Sequence, residues 1–409
     1  MIEFKQSSAI EGVQQMTHAV AEALMRPISR QYDEQEHEKP WDFINQMWGA
    51  SKGTSFGGGR DGKGAKGEAP KASEQNLRMC VTIEELSWGD AGLYLSIPNP
   101  GLGGAAVAAA GTAEQKERFL GRFSGDEPKW AAMAITEPGC GSDTAAVQTT
   151  AVRDGDSWVL NGEKIFVTSG LMAAQESKGF VVVWATVDKS AGRAGIKAFV
   201  VEAGTPGMKV TKLEKKLGIR VSDTASIVFT DCRIPLTNIL GSPEVPKTTE
   251  GFKGVMATFD ATRPLVAASA IGVARAALEF VKEQLSHEGL EIRYGVAPSK
   301  LTAAERDIMD METQLQAARL LTWRAARMMD NGVRNNLEAS MAKAKAGLVV
   351  TQVTQKAVEL MGPLGYSRKY LVEKWMRDGK INDIFEGTQQ INTLIVARRI
   401  LGYSRAELP

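Results

Sequence analysis

Cysteine is scarce: the 409 residues hold three, Cys80, Cys140 and Cys232, an odd number with no CxxC spacing. That argues against a disulfide scaffold and suits a reducing compartment. Histidine is as rare, and His18, His37 and His287 lie too far apart in the chain for a His-rich zinc site. Neither sign of charge dominates, with 49 Lys+Arg against 48 Asp+Glu for a net of +1. A global basic field for nucleic acid and an acidic solvating tail are both excluded. No secretory signal is evident, because residues 1–13 carry Glu3, Lys5 and Glu11 and no apolar run. The longest uncharged stretch, residues 91–113, is richer in alanine than in Leu or Ile and contains Pro98, Pro100 and five glycines. It reads as a buried turn and helix of a soluble core rather than a membrane span. These absences together lead us to expect a cytoplasmic protein.

What is present is the composition of a globular protein, 43% hydrophobic and 24% charged, long enough for two or three domains at about 150 residues each. Residues 11–48 read mostly as helix, with Val13, Met16, Val20, Leu24 and Met25 at helical spacing. Helical patterning resumes from Leu77, and residues 113–123 form another amphipathic helix. From Trp130 the period changes. Apolar runs flank Asn161-Gly162, a strong short-range hairpin signal. Residues 180–187, 198–201 and 225–229 are further strands of a small antiparallel β domain. After Phe252 the pattern is helical again. Thr262-Arg263-Pro264 opens one helix with its proline in the first turn, and residues 303–330, 337–361 and 389–401 make three more, a four-helix bundle. The expected fold is α+β in three segments: a helical 1–132, a β-barrel or sandwich 133–245 and a helical bundle 246–409.

Residues 49–67 hold eight glycines and four Lys/Arg and match two nucleotide-loop patterns. Gly62 to Gly67 satisfies GxGxxG, and Gly57 to Lys63 approaches a P-loop, but Gly64 stands where Ser or Thr should bind Mg²⁺. A phosphate cradle needs a strand before it and a helix after it. Here Ser-Lys-Gly precedes and Glu-Ala-Pro-Lys follows, so the segment reads as a surface loop.

Three segments carry a resemblance. Met133-Ala134-Ile135-Thr136-Glu137-Pro138-Gly139-Cys140-Gly141-Ser142-Asp143 is followed by Phe166-Val167-Thr168. Phe259 to Pro264 comes second, and Arg377 to Ile381 with Ile384-Phe385-Glu386-Gly387-Thr388 comes third. In this order they resemble the acyl-CoA dehydrogenase family, from about residue 77 to residue 401. The resemblance implies FAD as cofactor, an acyl-CoA substrate, electron-transferring flavoprotein as acceptor, and a homo-oligomer, a dimer or homotetramer.

It also implies site residues. Abstracting an α-proton from a thioester needs a base, and a carboxylate in a dry pocket gains basicity by desolvation. Glu386 matches the family's base, in the medium-chain type of placement. Thr262 stands where a subset of relatives has its glutamate. Met133, Ile135, Thr136, Gly141, Ser142, Phe166 and Thr168 match flavin-binding positions, Phe166 replacing the usual Trp. Gly362, Thr388 and Gln390 match further ones. Tyr94, Pro98, Ser142, Asp260, Thr262, Arg263, Arg334, Phe385 and Gly387 match positions that receive the acyl-CoA, with Phe385 standing where Tyr is common.

Some matches fail. Glu288 falls where a cation should reach a neighbouring subunit's FAD, so either Arg293 takes over through a shifted loop or that contact is absent. Glu359 and Pro363 replace an expected Gln and Gly. The implied reaction is dehydrogenation to a trans-2-enoyl-CoA. An acyl-CoA oxidase, or a non-enzymatic scaffold with weakened FAD binding, is the alternative.

Overall fold

The computed structural model describes residues 6–51, 73–242, 253–404 and 407. Most of the glycine-rich segment, with both nucleotide-loop patterns, therefore lies outside the described residues. Helix α1 (Ser8–Val20) passes through a π turn and a 3-10 turn at Arg26–Ile28 into α2 (Ser29–Glu34). The irregularity coincides with Pro27, which has no N–H to donate to a regular ladder. Helices α3 (Trp41–Ser51), α4 (Gln75–Ser96), α5 (Gly101–Ala110) and α6 (Ala113–Leu120) complete the N-terminal region. The uncharged stretch is thus the end of α4, a turn, and α5. Helix α4 breaks at Asp90, whose φ of −167° is extended, and the Asp90 carboxylate caps the second half by accepting from Leu93 N at 2.8 Å.

A curled seven-stranded sheet follows: β1 (Ala131–Ala134), β2 (Thr150–Asp154), β3 (Ser157–Thr168), β4 (Phe180–Thr186), β5 (Ile196–Glu202), β6 (Met208–Leu213) and β7 (Thr224–Pro235). The pairing is largely antiparallel, but β4 runs parallel to β1 along one edge and to β2 at Thr186. Strand β4 is buried along its whole length, as a continuous apolar run predicts.

The expected Asn161-Gly162 turn is not a turn. Both residues lie inside β3, and the chain reverses at Gly155-Asp156, with Asp154 paired to Ser157 and Gly155 at φ +58°. Asn161 instead accepts from Asp231 N at 2.8 Å, across from an irregularity where β7 carries one extra residue. Gly162 is required by a close approach: a Cβ there would lie 2.5 Å from Thr149 Oγ1. A second irregularity sits between Lys164 and Val167, where the extra residue is on β3. It lets Lys164 and Val167 both point inward while Phe166, at φ +57°, stays 59% exposed.

The C-terminal region holds α7 (Lys253–His287), α8 (Ala303–Asp330), α9 (Asn336–Met361), α10 (Pro363–Tyr366), α11 (Val372–Gly379) and α12 (Gln389–Leu401). Helix α7 begins before Thr262, so Pro264 lies in the interior of the helix and not in its first turn. An interior proline costs roughly 3 kcal/mol, and the ladder continues through it because the helix is packed: Arg263, Pro264 and most of residues 267–278 are buried. Thr258–His287 is long and apolar enough to cross a membrane, yet it packs into the bundle core with Ile308, Leu315, Val350 and Trp375. Helix α8 starts on a capping box formed by Thr302 and Glu305.

One junction ties all three regions together. The buried Lys374 ammonium of α11 donates to Asp90 at 2.6 Å and to Asp378 at 2.5 Å. Ser29 also donates to Asp90, and Ile219 N, in the loop after β6, donates to Asp378 at 2.6 Å.

Candidate active site

The strand β1 ends at Met133-Ala134, and Ile135 follows still buried. The chain then loops outward through Pro138, Gly139, Gly141, Ser142 and Asp143, all exposed. What anchors this loop is a pair missed by sequence reasoning. The Glu137 carboxylate turns inward and accepts from Gln148 N (2.7 Å), Thr149 N (2.9 Å), Thr149 Oγ1 (2.6 Å) and Lys164 Nζ (2.7 Å). Lys164 is fully buried and also donates to Ile135 O at 3.0 Å. Burial opposes ionisation of Glu137, but Lys164 and Thr149 outweigh it and hold the carboxyl below its usual range. Burial in turn pushes Lys164 down. The signal available in the sequence was a lysine in an otherwise apolar strand position.

The same arrangement aligns β1 with β3. Ile165 N donates to Thr136 O at 2.9 Å, which holds Thr136 against β3 one residue before the exposed Phe166. Past Thr168, Ser169 N donates to Asp223 O and Leu171 N to the Asp223 carboxylate, which pairs with Lys39. The face so formed offers hydroxyls at Thr136, Ser142 and Thr168 and an uncovered aromatic ring. The charge of Glu137 is neutralised from behind. That donor set fits a planar ring bearing a diphosphate. A depression bordered by Glu137, Pro138 and Gly139 of the loop with Gln148 and Glu163 is not lined by Glu386.

Glu386 lies in the C-terminal region, just before α12. Its backbone is left-handed at φ +57° and Gly387 continues at φ +91°. Thr388 caps α12 by accepting from Ile391 N at 3.3 Å, with Gln390 exposed in the first turn. Thr262 Oγ1 of α7 donates to Glu386 Oε2 at 2.9 Å, so the two alternative glutamate positions of the resemblance do meet in space. Burial raises the Glu386 carboxyl above its usual range, and the Thr262 hydroxyl, Arg263 and Lys343 partly oppose that rise.

Around it, Arg263 is 3% exposed and donates to Asp260 at 3.0 Å and Ser340 Oγ at 3.3 Å. Asp260 is itself raised by burial, against the fields of Arg263 and Arg334. Arg334 is exposed. The Tyr94 phenol is pushed up by burial first, with the negative field of Glu386 adding to it. Phe385 precedes the base, half-buried, and Pro98 is buried at the end of α4. Lys343 of α9, 1% exposed, donates to Gly387 O at 2.5 Å, and burial brings its ammonium down to about 8. Lys343, Ser340 and the buried Asn392, whose amide donates to Gly387 O, are residues of this cluster that sequence reasoning missed.

Two matched positions stand apart. Arg293 is bound by Glu305 through Nε and Nη2, each at 2.7 Å, and Nη2 also donates to Lys300 O. Gly362 ends α9 at φ +54°, beside the exposed Glu359, which pairs with Lys356.

Family models match the whole architecture: the acyl-CoA dehydrogenase N-terminal domain over residues 7–127, the middle domain over 132–232 and the C-terminal domain over 249–401. The bovine (Bos taurus) mitochondrial short-chain specific acyl-CoA dehydrogenase is 38% identical over 384 residues, 93% of this chain and 87% of the relative. The butyryl-CoA dehydrogenase structure from Megasphaera elsdenii superposes with a TM-score of 0.83 at 32% identity, covering 98% of this chain and 100% of that one. A chain in a structure of the electron transferring flavoprotein of Acidaminococcus fermentans matches with a TM-score of 0.81 at 33% identity, covering 98% and 100%. The chain therefore belongs to the acyl-CoA dehydrogenase family and is an enzyme of that class.

Proposed function

We propose that this protein oxidises a short-chain acyl-CoA to the trans-2-enoyl-CoA, with Glu386 as the base and FAD as the cofactor. The observation that carries it is the Glu386 carboxyl, raised by burial and held by one donor, Thr262, at the head of α12. A carboxylate so desolvated is a stronger base than one in water and can take a proton from the carbon next to a thioester. Its partner N–H groups matter too. The Glu386 N–H has no acceptor among the described residues, and it is the donor we assign to the thioester oxygen, where negative charge builds as the proton leaves. Tyr94 and Phe385 border the acyl chain, and Asp260, Arg263 and Arg334 receive the CoA end.

FAD, when bound, supplies the acceptor for the β-hydride. Met133, Ile135, Thr136, Gly141, Ser142, Phe166 and Thr168 are the residues we assign to hold it, with Thr388 and Gln390 from the side of the base. The short acyl chain follows the names of the relatives, short-chain specific and butyryl-CoA dehydrogenases. Transfer of the electrons to an electron-transferring flavoprotein is supported by the likeness to a chain in the Acidaminococcus structure. Assembly into a dimer or homotetramer is supported by exposed apolar residues at the C-terminal end, among them Leu364, Tyr366, Ile400 and Leu401.

The test is anaerobic mixing of the purified protein with a panel of acyl-CoA thioesters. Flavin bands should be present and should bleach fastest with butyryl-CoA. Glu386→Gln should keep the bands and bind the thioester without bleaching. Full bleaching by that variant would sink the base assignment, and a protein without flavin even after FAD addition would sink the cofactor.

A further inference from the structure

The segment that presents Glu386 is conformationally demanding. A non-glycine residue at φ +57° followed by glycine at φ +91° is an arrangement that L side chains rarely adopt, and the surroundings must hold it. Within the segment, Phe385 N donates to Ile381 O, and Asn392 Nδ2 donates to Gly387 O (2.9 Å) and Thr388 O (3.0 Å). These bonds shape the loop but do not locate it against the rest of the bundle. Among the described residues, one hydrogen bond to the Glu386-Gly387 backbone from another helix does: Lys343 Nζ of α9 donates to Gly387 O at 2.5 Å. Thr262 of α7 holds the carboxylate itself. Together they tie the Glu386 side chain and the carbonyl of the residue after it to two different helices.

We infer that Lys343 is a positioning residue for Glu386: its ammonium pins the left-handed pair through the Gly387 carbonyl and supplies a positive charge that favours the ionised carboxylate. The inference rests on the assignment of Glu386 as base. The charges that bear on Lys343 are Asp383 in the turn before Glu386, Glu386 itself and Arg263 on α7. Asp383 is also paired with Lys380 at 2.9 Å. Tyr94 of α4 also faces the carboxyl, and burial holds its phenol neutral. Removing the Lys343 charge leaves burial less opposed, so the Glu386 carboxyl rises further. Its protonated fraction then grows at any given pH.

The experiment uses full-length protein with FAD and reads two quantities against pH. One is the limiting rate of flavin reduction by butyryl-CoA. The other is protonation of Glu386, taken from the carboxyl infrared band that is present in the parent and absent in Glu386→Gln. In Lys343→Met, flavin content and thioester binding should stay within threefold of the parent, while the limiting rate falls about tenfold. The acid limb and the infrared midpoint should both move up by about one pH unit. Lys343→Gln serves where the methionine variant does not fold, with the same shift expected. A folded variant with the parent's infrared midpoint overturns the proposal. So does failure of both variants to fold, which would make Lys343 a folding residue alone. If the parent itself is not reduced by any acyl-CoA, the functional reading fails, and the infrared midpoint still decides the role of Lys343.

Discussion

Thr262→Val removes the hydroxyl that donates to Glu386 Oε2 at 2.9 Å and keeps the shape of the side chain. Hydrogen bonds to charged groups are worth about 1.5–3 kcal/mol. The neutral carboxyl still accepts a weaker bond, and Arg263 and Lys343 remain nearby. The differential loss is then about half of that, about 0.8–1.5 kcal/mol, or roughly one pH unit at about 1.36 kcal/mol per unit. The sign follows from which form the hydroxyl favours. Thr262 stabilises the ionised base and lowers the carboxyl, so its removal raises the pKa, and the base is protonated over a wider acid range. The pH dependence of kcat/KM with butyryl-CoA should keep its plateau within about threefold and shift its acid limb upward by about one unit. Below both midpoints the variant should be about tenfold slower than the parent. An acid limb that does not move, in a variant with normal flavin content, would refute the claim that Thr262 sets the protonation of Glu386.

Three further outcomes are expected. Lys164→Met leaves the buried Glu137 carboxylate without its cation and should cost about 3–5 kcal/mol in urea unfolding; a cost under about 1 kcal/mol would show that the pair does not anchor the loop. Gly162→Ala forces a Cβ toward Thr149 Oγ1 at 2.5 Å and should lower stability by about 1–3 kcal/mol, whereas a true turn glycine at an exposed tip would be more tolerant. Burial opposes ionisation of Glu85, but Arg275 holds its carboxyl below the ordinary value of about 4.5. Its stabilisation is thus complete above the unfolded-state value and lost as pH falls through the folded one. Glu85→Gln should be less stable than the parent at pH 7 and should lose less on acidification to pH 3; equal slopes in a denaturation series would count against the assignment.

The helices were legible because their signals are local. Thr302 and Glu305 form a capping box, Asn331-Gly332 ends α8, and Gly362-Pro363 ends α9, so the observed bounds of α8 and α12 coincide with those expected. The β region was harder because the deciding contacts are long-range. Asn161-Gly162 carries a hairpin signal, but Thr149 approaches Gly162 from another segment and Asn161 serves an irregularity on β7. No window of local sequence contains both facts. Pro264 was read as a helix start because proline favours that position, yet packing of the rest of α7 carries the helix through it. In the candidate site, Glu386 and Thr262 were found through motifs, and the structure joins them. Lys164 and Lys343 were overlooked because a lysine is ordinarily a surface residue, and only burial sets these two apart.

The junction at Lys374 has a consequence for how the chain is made. Its ammonium is the shared counter-ion of Asp90, far upstream, and Asp378, just beyond it. Ribosomal synthesis delivers Asp90 long before residue 374. Until then the N-terminal helices would have to bury an anion with no cation in direct contact, only Ser29 and Leu93 N donating to it and Arg26 acting from further off, and Ile219 N would have no carboxylate to donate to. Final closure of the N-terminal helices on the sheet therefore waits for almost the whole polypeptide. A product truncated before α11 would be left with a kinked α4 whose inward-facing carboxylate prefers water, an exposed seam of the kind that protein quality control removes.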